Sequence, residues 1–399
     1  MANTLLTSDV ITREAQRILH QKLNFIGRVN RSYDPAFAKS GAKIGDTLRI
    51  RLPTQYKVTD GATISTQDSV QQNTSLAVTN RKHVAMDFTD EELTLDIDNF
   101  SELHLEPAMA VLAANVESDV LQNVYKDVYN QVNNVGSDIT YKLVGTGRKT
   151  LVDNLSPMDS TVSAVMNTND TLEVNDVVKG LFNPNTTLSE QYREGTLGRQ
   201  AGFSFFENTM MPRHTSGTDD GTGDYLCNSA VAQSGTSLTI DTGAGTILAG
   251  DIFTVGGCFR VHPETKQSTG VLQQFVCAAD IAASATTITF TPSLNGDSTD
   301  PQQNVTNAAA NNSIITKVGG ASAAHDISLG FHRDAFAFAT ADLEMPRGMD
   351  MASRKVQDGL SLRFVRGFDI NNSTFVSRFD ILYGYKTIRP QLAFRWANN

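Results

Sequence analysis

The sequence predicts an α+β fold: one long helix laid against β-structure, with a small β-rich domain inserted into the host domain. Three observations carry this. Residues 107–132, PAMAVLAANVESDVLQNVYKDVYNQV, form the longest stretch of helical periodicity. From about Gly217 to Ala324 the chain turns rich in Gly, Ser, Thr, Asn and Ala, as an inserted domain does. After that, Leu360 to Phe368 and Thr374 to Tyr383 alternate apolar and polar residues about Asn371-Asn372, the pattern of a hairpin.

The helix has its stripe at Met109, Leu112, Ala113, Val116, Val120, Leu121, Val124, Tyr125, Val128 and Val132, with Asn115, Asp119, Gln122 and Lys126 opposite. Pro107 suits the first turn, where its missing N–H costs nothing. Such a helix would be roughly 39 Å long. Half of the stripe is valine, a mediocre helix former, so the segment needs a large partner surface.

Ahead of it, Val10, Ile11, Ala15, Ile18 and Leu19 make one stripe, and Arg13, Glu14, Arg17 and Gln21 point away, which predicts a short amphipathic helix docked on another surface. Gly41 and Gly45 mark a turn, and Thr47 to Leu52 alternate as a strand. The polar stretch Thr59 to Asn73 separates it from a second strand over Ser75 to Phe88. Together they predict an extended hairpin arm with little core of its own, better explained if it lies on a neighbouring subunit. Thr89 and Glu92 have capping-box spacing and predict a short helix before the long one.

Beyond Gly136 the pattern predicts a strand at Ile139 to Val144, helices at Ser160 to Met166 and Val174 to Phe182, and turns at Gly195, Gly198 and Gly202. In the inserted region short strands recur at Ser237 to Ile240, Ile252 to Val255, Phe259 to His262, Val271 to Cys277 and Thr286 to Thr291, which predicts a small barrel. IRPQLAFRW supplies a last strand.

Composition excludes several classes. With 399 residues and 40% hydrophobic content the chain can bury one large core or several smaller ones. No run approaches a membrane span, and MANTLLTSDV lacks the basic start and apolar core of a secretory signal, so a soluble protein made in the cytoplasm is expected. Cys227, Cys258 and Cys277 fit neither metal spacing nor a disulfide framework and are expected to be free and buried. None of the histidines His20, His83, His104, His214, His262, His325 and His332 sits in a ligand or nucleophile motif. Asp219, Asp220 and Asp224, and Asp297 and Asp300, lack the rest of a calcium loop and read as turn residues. Gly145 to Lys149 lacks the spacing of a phosphate loop. No constellation supports an enzyme, and no cofactor or metal is implied.

The net charge of −10 is uneven. Residues 1–60 carry ten Lys/Arg against five Asp/Glu and residues 343–399 nine against five, whereas residues 217–324 carry three against nine. Basic ends suggest that Arg13, Arg17, Lys22, Arg28 and Arg31 face an anionic partner in an interior; pairing with acidic subunit surfaces is the other reading.

Five segments, in order, resemble the major capsid (coat) proteins of tailed bacteriophages that carry an inserted domain: IGDTLRIRLP (Ile44 to Pro53), FSELHLEPAMAVLAANVESDV (Phe100 to Val120), EQYREGTLGRQAGFSFFENTMMPRHTSG (Glu190 to Gly217), GDIFTVGGCFRVHPETKQSTGVLQQFVC (Gly250 to Cys277) and RFDILYGYKTIRPQLAFRW (Arg378 to Trp396). The resemblance implies the Hong Kong 97 type of capsid fold, shared with encapsulins. It implies an N-terminal arm at 1–37, an extended loop at 38–88 and a peripheral domain at 89–136 with its spine helix at 107–132. It further implies a discontinuous axial and peripheral core at 137–216 and 325–399, and a β-barrel insertion at 217–324. The implied function is a non-enzymatic icosahedral shell of hexamers and pentamers in the virion. The implied partners are further copies of the chain, a scaffolding protein, a portal protein and packaged double-stranded DNA held by non-specific contact, with no membrane. An encapsulin-like compartment shell, or an extracellular β-rich adhesin or tail component, is the alternative.

Overall fold

The computed structural model describes residues 8–32, 47–62, 64, 66–67, 71–89, 104–178, 197–222, 225–349, 351–357, 359–370, 372 and 374–398. The chain divides into two compact units, Met1–Ile50, Thr74–Val120 and Phe336–Ile388 in one, and Arg51–Asn73, Leu121–Ala335 and Arg389–Asn399 in the other.

Between the N-terminal helix α1 (Ser8–Lys22) and the rest of the chain comes a two-stranded pair, β1 (Thr47–Arg51) with β2 (Asn73–Ala77). The arm therefore closes earlier than its pattern predicts. Instead of one strand over Ser75 to Phe88, β2 ends at Ala77, and a new strand β3 (Asn80–Thr89) runs antiparallel to β19 (Thr374–Thr387). The expected helix start at Thr89 and Glu92 lies largely outside the described residues.

The first unit is a five-stranded sheet of β3, β16 (Phe336–Thr340), β17 (Met351–Gln357), β18 (Leu360–Asp369) and β19. The expected β18–β19 hairpin forms, with Asp369 opposite Thr374 and Arg363 opposite Asp380. Gly384 allows a close backbone approach, since a Cβ there would stand 2.0 Å from the Ala77 carbonyl oxygen. Helix α1 docks on this sheet with Ile11, Ala15, Ile18 and Leu19 buried, while Val10 is exposed. Thr12 and Gln16 are buried too: the Thr12 hydroxyl meets that of Ser353, and the Gln16 amide donates to the Leu360 carbonyl at 2.6 Å.

The long helix α2 spans Glu106–Val124 and buries Met109, Leu112, Ala113, Val116, Val120, Leu121 and Val124, as its periodicity predicts. It does not reach Val132. After Val124 the chain tightens into a 3-10 turn over Tyr125–Asp127 and then becomes β4 (Gln131–Asn133), parallel to β20 (Ala393–Asn398). The competition is visible in the hydrogen bonds: Arg395 N–H donates to the Asn130 carbonyl at 2.9 Å, and Gln131 N–H donates to the Gln274 side chain at 2.8 Å. Strand pairing takes the groups a helix would use, and valine gives the helix little to oppose it.

In the second unit a seven-stranded sheet joins β4, β20, β15 (Ala324–His332), β5 (Val162–Met166), β7 (Phe203–Glu207) and β6 (Arg199–Gln200), with β8 (Arg213–Thr215) paired to β15. Helices α3 (Tyr141–Asp153) and α4 (Thr168–Val178) belong to this unit. Two predicted elements exchange type here. Ile139 to Val144 opens a helix rather than a strand, and Ser160 to Met166 holds a strand whose five residues are all buried, so no alternation marks it. Gly147 lies inside α3, where an added Cβ would fall 2.3 Å from the Phe394 ring; the glycine lets the helix sit on Phe394 and Trp396. Of the helix expected at Val174 to Phe182, α4 covers the part to Val178, and the remainder lies outside the described residues, as does Gly195.

The barrel closes in the order β10 (Gly235–Asp241), β13 (Thr287–Leu294), β12 (Ser268–Cys277), β11 (Ile252–Val261), β14 (Ile314–Lys317) and β9 (Tyr225–Cys227). The two strands expected at Ile252 and Phe259 are one strand, interrupted by a register shift at Gly256-Gly257. Its interior is Phe253, Phe275 and Phe290 in mutual contact, ringed by Leu238, Ile240, Val255 and Ile288.

Candidate assembly surfaces and the barrel junction

The burial of one face of α1 turns Arg13 and Arg17 outward. The Arg17 guanidinium is held by Glu14, at 2.5 Å, which raises its pKa and lowers that of Glu14. Lys22 stands 3.6 Å from Glu106. Arg28 is exposed in the following 3-10 turn and Arg31 is half-buried. The five cations predicted as a set thus follow one another along the start of the first unit, with Arg17 and Lys22 already facing carboxylates. The segment bearing them is docked on its own sheet.

Two extensions carry large apolar side chains left uncovered among the described residues. On the arm Tyr56 is 64%, Val58 82% and Ile64 89% exposed. At the end of the β18–β19 hairpin Phe368, Ile370 and Val376 are exposed, and Arg366 stacks over the Phe375 ring at 4.4 Å. Among the described residues neither extension has a core beneath it, and exposed apolar side chains of this kind suit contact with another surface.

Where the barrel joins the seven-stranded sheet, the second unit buries a polar cluster that sequence reading missed. Asp251, just before β11, accepts from His214 Nε2 at 2.8 Å, from Gly217 N–H at 2.9 Å and from Leu248 N–H at 2.8 Å. Burial pushes this carboxyl up, but the bonds from His214 and the two amides outweigh it and hold it below its ordinary range. His214 Nδ1 meets the Tyr125 hydroxyl at 3.0 Å, and burial raises the pKa of that phenol. Arg395, wholly buried and pushed down to about 10, donates to the Tyr125 and Gly250 carbonyls. His325 packs edge-on to His214 at 5.3 Å, and burial, then the neighbouring His214, pushes its pKa down to about 4. Asp, His and hydroxyl in a row are the parts of a nucleophile relay, but here the hydroxyl is a buried phenol held protonated. The arrangement is a latch. It holds the entry into the barrel through the Asp251–Gly217 bond, and beside it Lys317, at the end of β14, donates to the Gly217 and Gly320 carbonyls and so joins entry to exit. No spacing announced it, because its members lie at positions 125, 214, 251 and 395 and meet only through the sheet.

The remaining candidates resolve into structure. Cys227, Cys258 and Cys277 are free and buried in the barrel, and burial pushes their thiols up to about 11, 12 and 12. Asp220 and Asp297 accept from the N–H and hydroxyl of Thr222 and Thr299, two residues on, so both are turn residues. Asp219 accepts from Gly221 N–H, while Asp224 lies outside the described residues. Among the described residues no helix is long and apolar enough to cross a membrane.

The model of a family described as P22 coat protein, gene protein 5, matches residues 7–394. No curated protein sequence matches this one. Among solved structures the chain is similar to one from Mycobacterium phage Che8, at 12% identity and a TM-score of 0.49 over 94% of this chain and 90% of that one. It is also similar to the capsid of the cyanophage P-SCSP1u, at 10% identity and a TM-score of 0.44 over 89% and 84%. The SrpI encapsulin of Synechococcus elongatus is similar at 8% identity and a TM-score of 0.39 over 83% and 77%.

Proposed function

Because this chain belongs to the P22 coat protein family, of shell-forming structural proteins rather than enzymes, we propose that its copies close into an icosahedral shell of hexamers and pentamers around a phage genome. The coat protein resides in the virion, and we take it to be made in the host cytoplasm. On this reading the unit of the five-stranded sheet serves as the peripheral domain, with α2 as its spine. The seven-stranded sheet serves as the axial domain, and the barrel as an insertion that stabilises its own subunit. A scaffolding protein, a portal protein and double-stranded DNA complete the set of partners.

The observation that carries the proposal is the arm. The described residues of the arm, 52–62, 64, 66–67 and 71–72, extend from a two-stranded base with Tyr56, Val58 and Ile64 exposed, and a neighbouring copy is the surface that covers them in a shell built from repeated modest contacts. Replacing all three, Tyr56→Ser, Val58→Ser and Ile64→Ser, is expected to leave a folded monomer that forms no closed shells under the electron microscope. Shells of normal size from that variant overturn the reading.

The exposed cations Arg13, Arg17, Lys22 and Arg28, with the half-buried Arg31, fit an interior surface that meets scaffold or DNA phosphates, contacts that weaken with salt. Charge reversal at Arg13 and Arg28 is expected to reduce scaffold recruitment and packaged DNA while shells still form. Unchanged recruitment and packaging reject this part.

A further inference from the structure

Two hydrogen bonds tie the arm to the barrel of the same chain: Lys57 Nζ donates to the Ser298 carbonyl, and the Gln72 amide donates to the Gln302 side-chain oxygen. From these and the construction of both partners we infer that the barrel loop Asn295–Asn304 is a cradle that fixes the course of the arm.

The arm cannot fix its own course. Beyond β1 and β2 it holds Leu52 N–H on the Gln72 carbonyl at 2.9 Å. Further out, the Gln67 side chain stands in for a strand partner, accepting from Lys57 N–H at 3.0 Å and donating back to the Lys57 carbonyl. Past that point Val58 and Ile64 are exposed, and among the described residues of the tip no burial defines a direction.

The loop, by contrast, is built before the arm arrives. Asn295 N–H donates to the Asn304 side chain at 2.8 Å, Asn304 N–H returns to the Asn295 carbonyl at 3.1 Å, and the Asn295 amide donates to Asp300 at 2.6 Å. Asp300 N–H closes a turn on the Asp297 carbonyl at 3.2 Å, and Lys266 Nζ anchors the Gln303 carbonyl at 3.1 Å. Gly296 is pressed against the next segment, where a Cβ would stand 2.2 Å from Ala308 N. A preorganised loop loses little freedom when it takes a ligand, so two hydrogen bonds suffice to select one arm direction. The charge fits as well: bonds from Thr299 hold the Asp297 carboxylate below its usual range, and the Lys57 ammonium nearby adds to this.

The barrel then acts on assembly through the arm, by presenting it already aimed; that consequence, though not the cradle itself, rests on the arm reading above. The test is amide hydrogen exchange on the purified, unassembled full-length chain carrying Gln302→Leu, Lys57→Met, or both. Protection at Leu52 and Lys57 is expected to fall by about tenfold in each single variant and further in the double, with β11 and β12 unchanged. Wild-type exchange in the arm of the double variant overturns the cradle. Light scattering of the same variants reads the shell separately: normal assembly with a loosened arm counts against the arm reading and leaves the cradle standing.

Discussion

Each unit buries a carboxylate completely, and the two are compensated in opposite ways. Asp380 in the five-stranded sheet receives Arg363 at 2.6 Å, Arg378 at 2.8 Å and Arg81 at 3.1 Å, which ties β3, β18 and β19 together. Asp170, in α4 of the second unit, receives only neutral donors, the Ser328 hydroxyl and the Asn398 amide, both on the same oxygen. Burial pushes both up. At Asp380 the bonds from Arg363 and Arg378 overcome it and hold the group below the ordinary range, whereas Asp170 is left pushed up to about 6. Burial alone does not determine the charge state; the charge of the donors does.

The largest test breaks the compensated site. Asp380→Ala leaves three guanidiniums converging on nothing, and removing one partner of a buried ion pair typically costs 3–5 kcal/mol. Arg81 and Arg378 reach solvent, with side chains 43% and 38% exposed, so the lower end, about 3 kcal/mol, is expected. Urea unfolding followed through amide exchange in β19 measures it, and a loss below about 1 kcal/mol would mean that the arginines simply turn to water.

The second test exploits the uncompensated site. A folded-state pKa of about 6 against an ordinary 3.8 means that the folded chain binds the proton more tightly. Stability from this group therefore rises as pH falls through 6 toward 4, by up to about 3 kcal/mol, and is constant above that window. Asp380 runs the other way: its contribution is full above the ordinary carboxylate pKa and is lost as pH falls through its depressed value. Mild acid should thus tighten β15 and α4 before stronger acid loosens β19. Asp170→Asn should stabilise the chain at pH 7 by about 2 kcal/mol and make no difference at pH 4. A variant with the wild-type pH profile would remove Asp170 as the source.

The contrast also marks what the sequence could reveal. Periodicity found α2 through Val124, the docking face of α1 and the β18–β19 hairpin, because each is a local pattern enforced by one buried face. It failed at Val128 to Val132, where the stripe continues but β20 claims the backbone, and at Val162 to Met166, where burial on both faces erases alternation. The barrel was legible from composition and turns, although β9 and β14 were too short to see. The cations of the N-terminal segment were visible as charges, but Glu106 as the partner of Lys22 was not. Asp251, Asp380 and Asp170 were invisible as sites, since the donors to Asp170 lie 158 and 228 residues away. Alternation reports burial of a face; nothing local reports which polar groups will meet inside.

The smallest expected effect separates two jobs of one side chain. Ser328 is fully buried; its hydroxyl donates to Asp170 and accepts from Asn167 N–H at 3.2 Å, next to the Asn167 side chain that caps α4 by accepting from Asp170 N–H at 2.6 Å. Ser328→Ala removes both bonds. The orphaned Asn167 N–H costs about 1 kcal/mol at every pH, because a backbone amide does not titrate. The missing donor to Asp170 costs a further amount, about 1 kcal/mol, only while the carboxyl is charged, and moves its titration upward. The loss at pH 7 should therefore exceed the loss at pH 4 by about 1 kcal/mol, and in an Asp170→Asn background the pH dependence of the loss should vanish. Equal losses at both pH values in the wild-type background would show that Ser328 serves the cap alone and that Asn398 by itself holds the Asp170 charge.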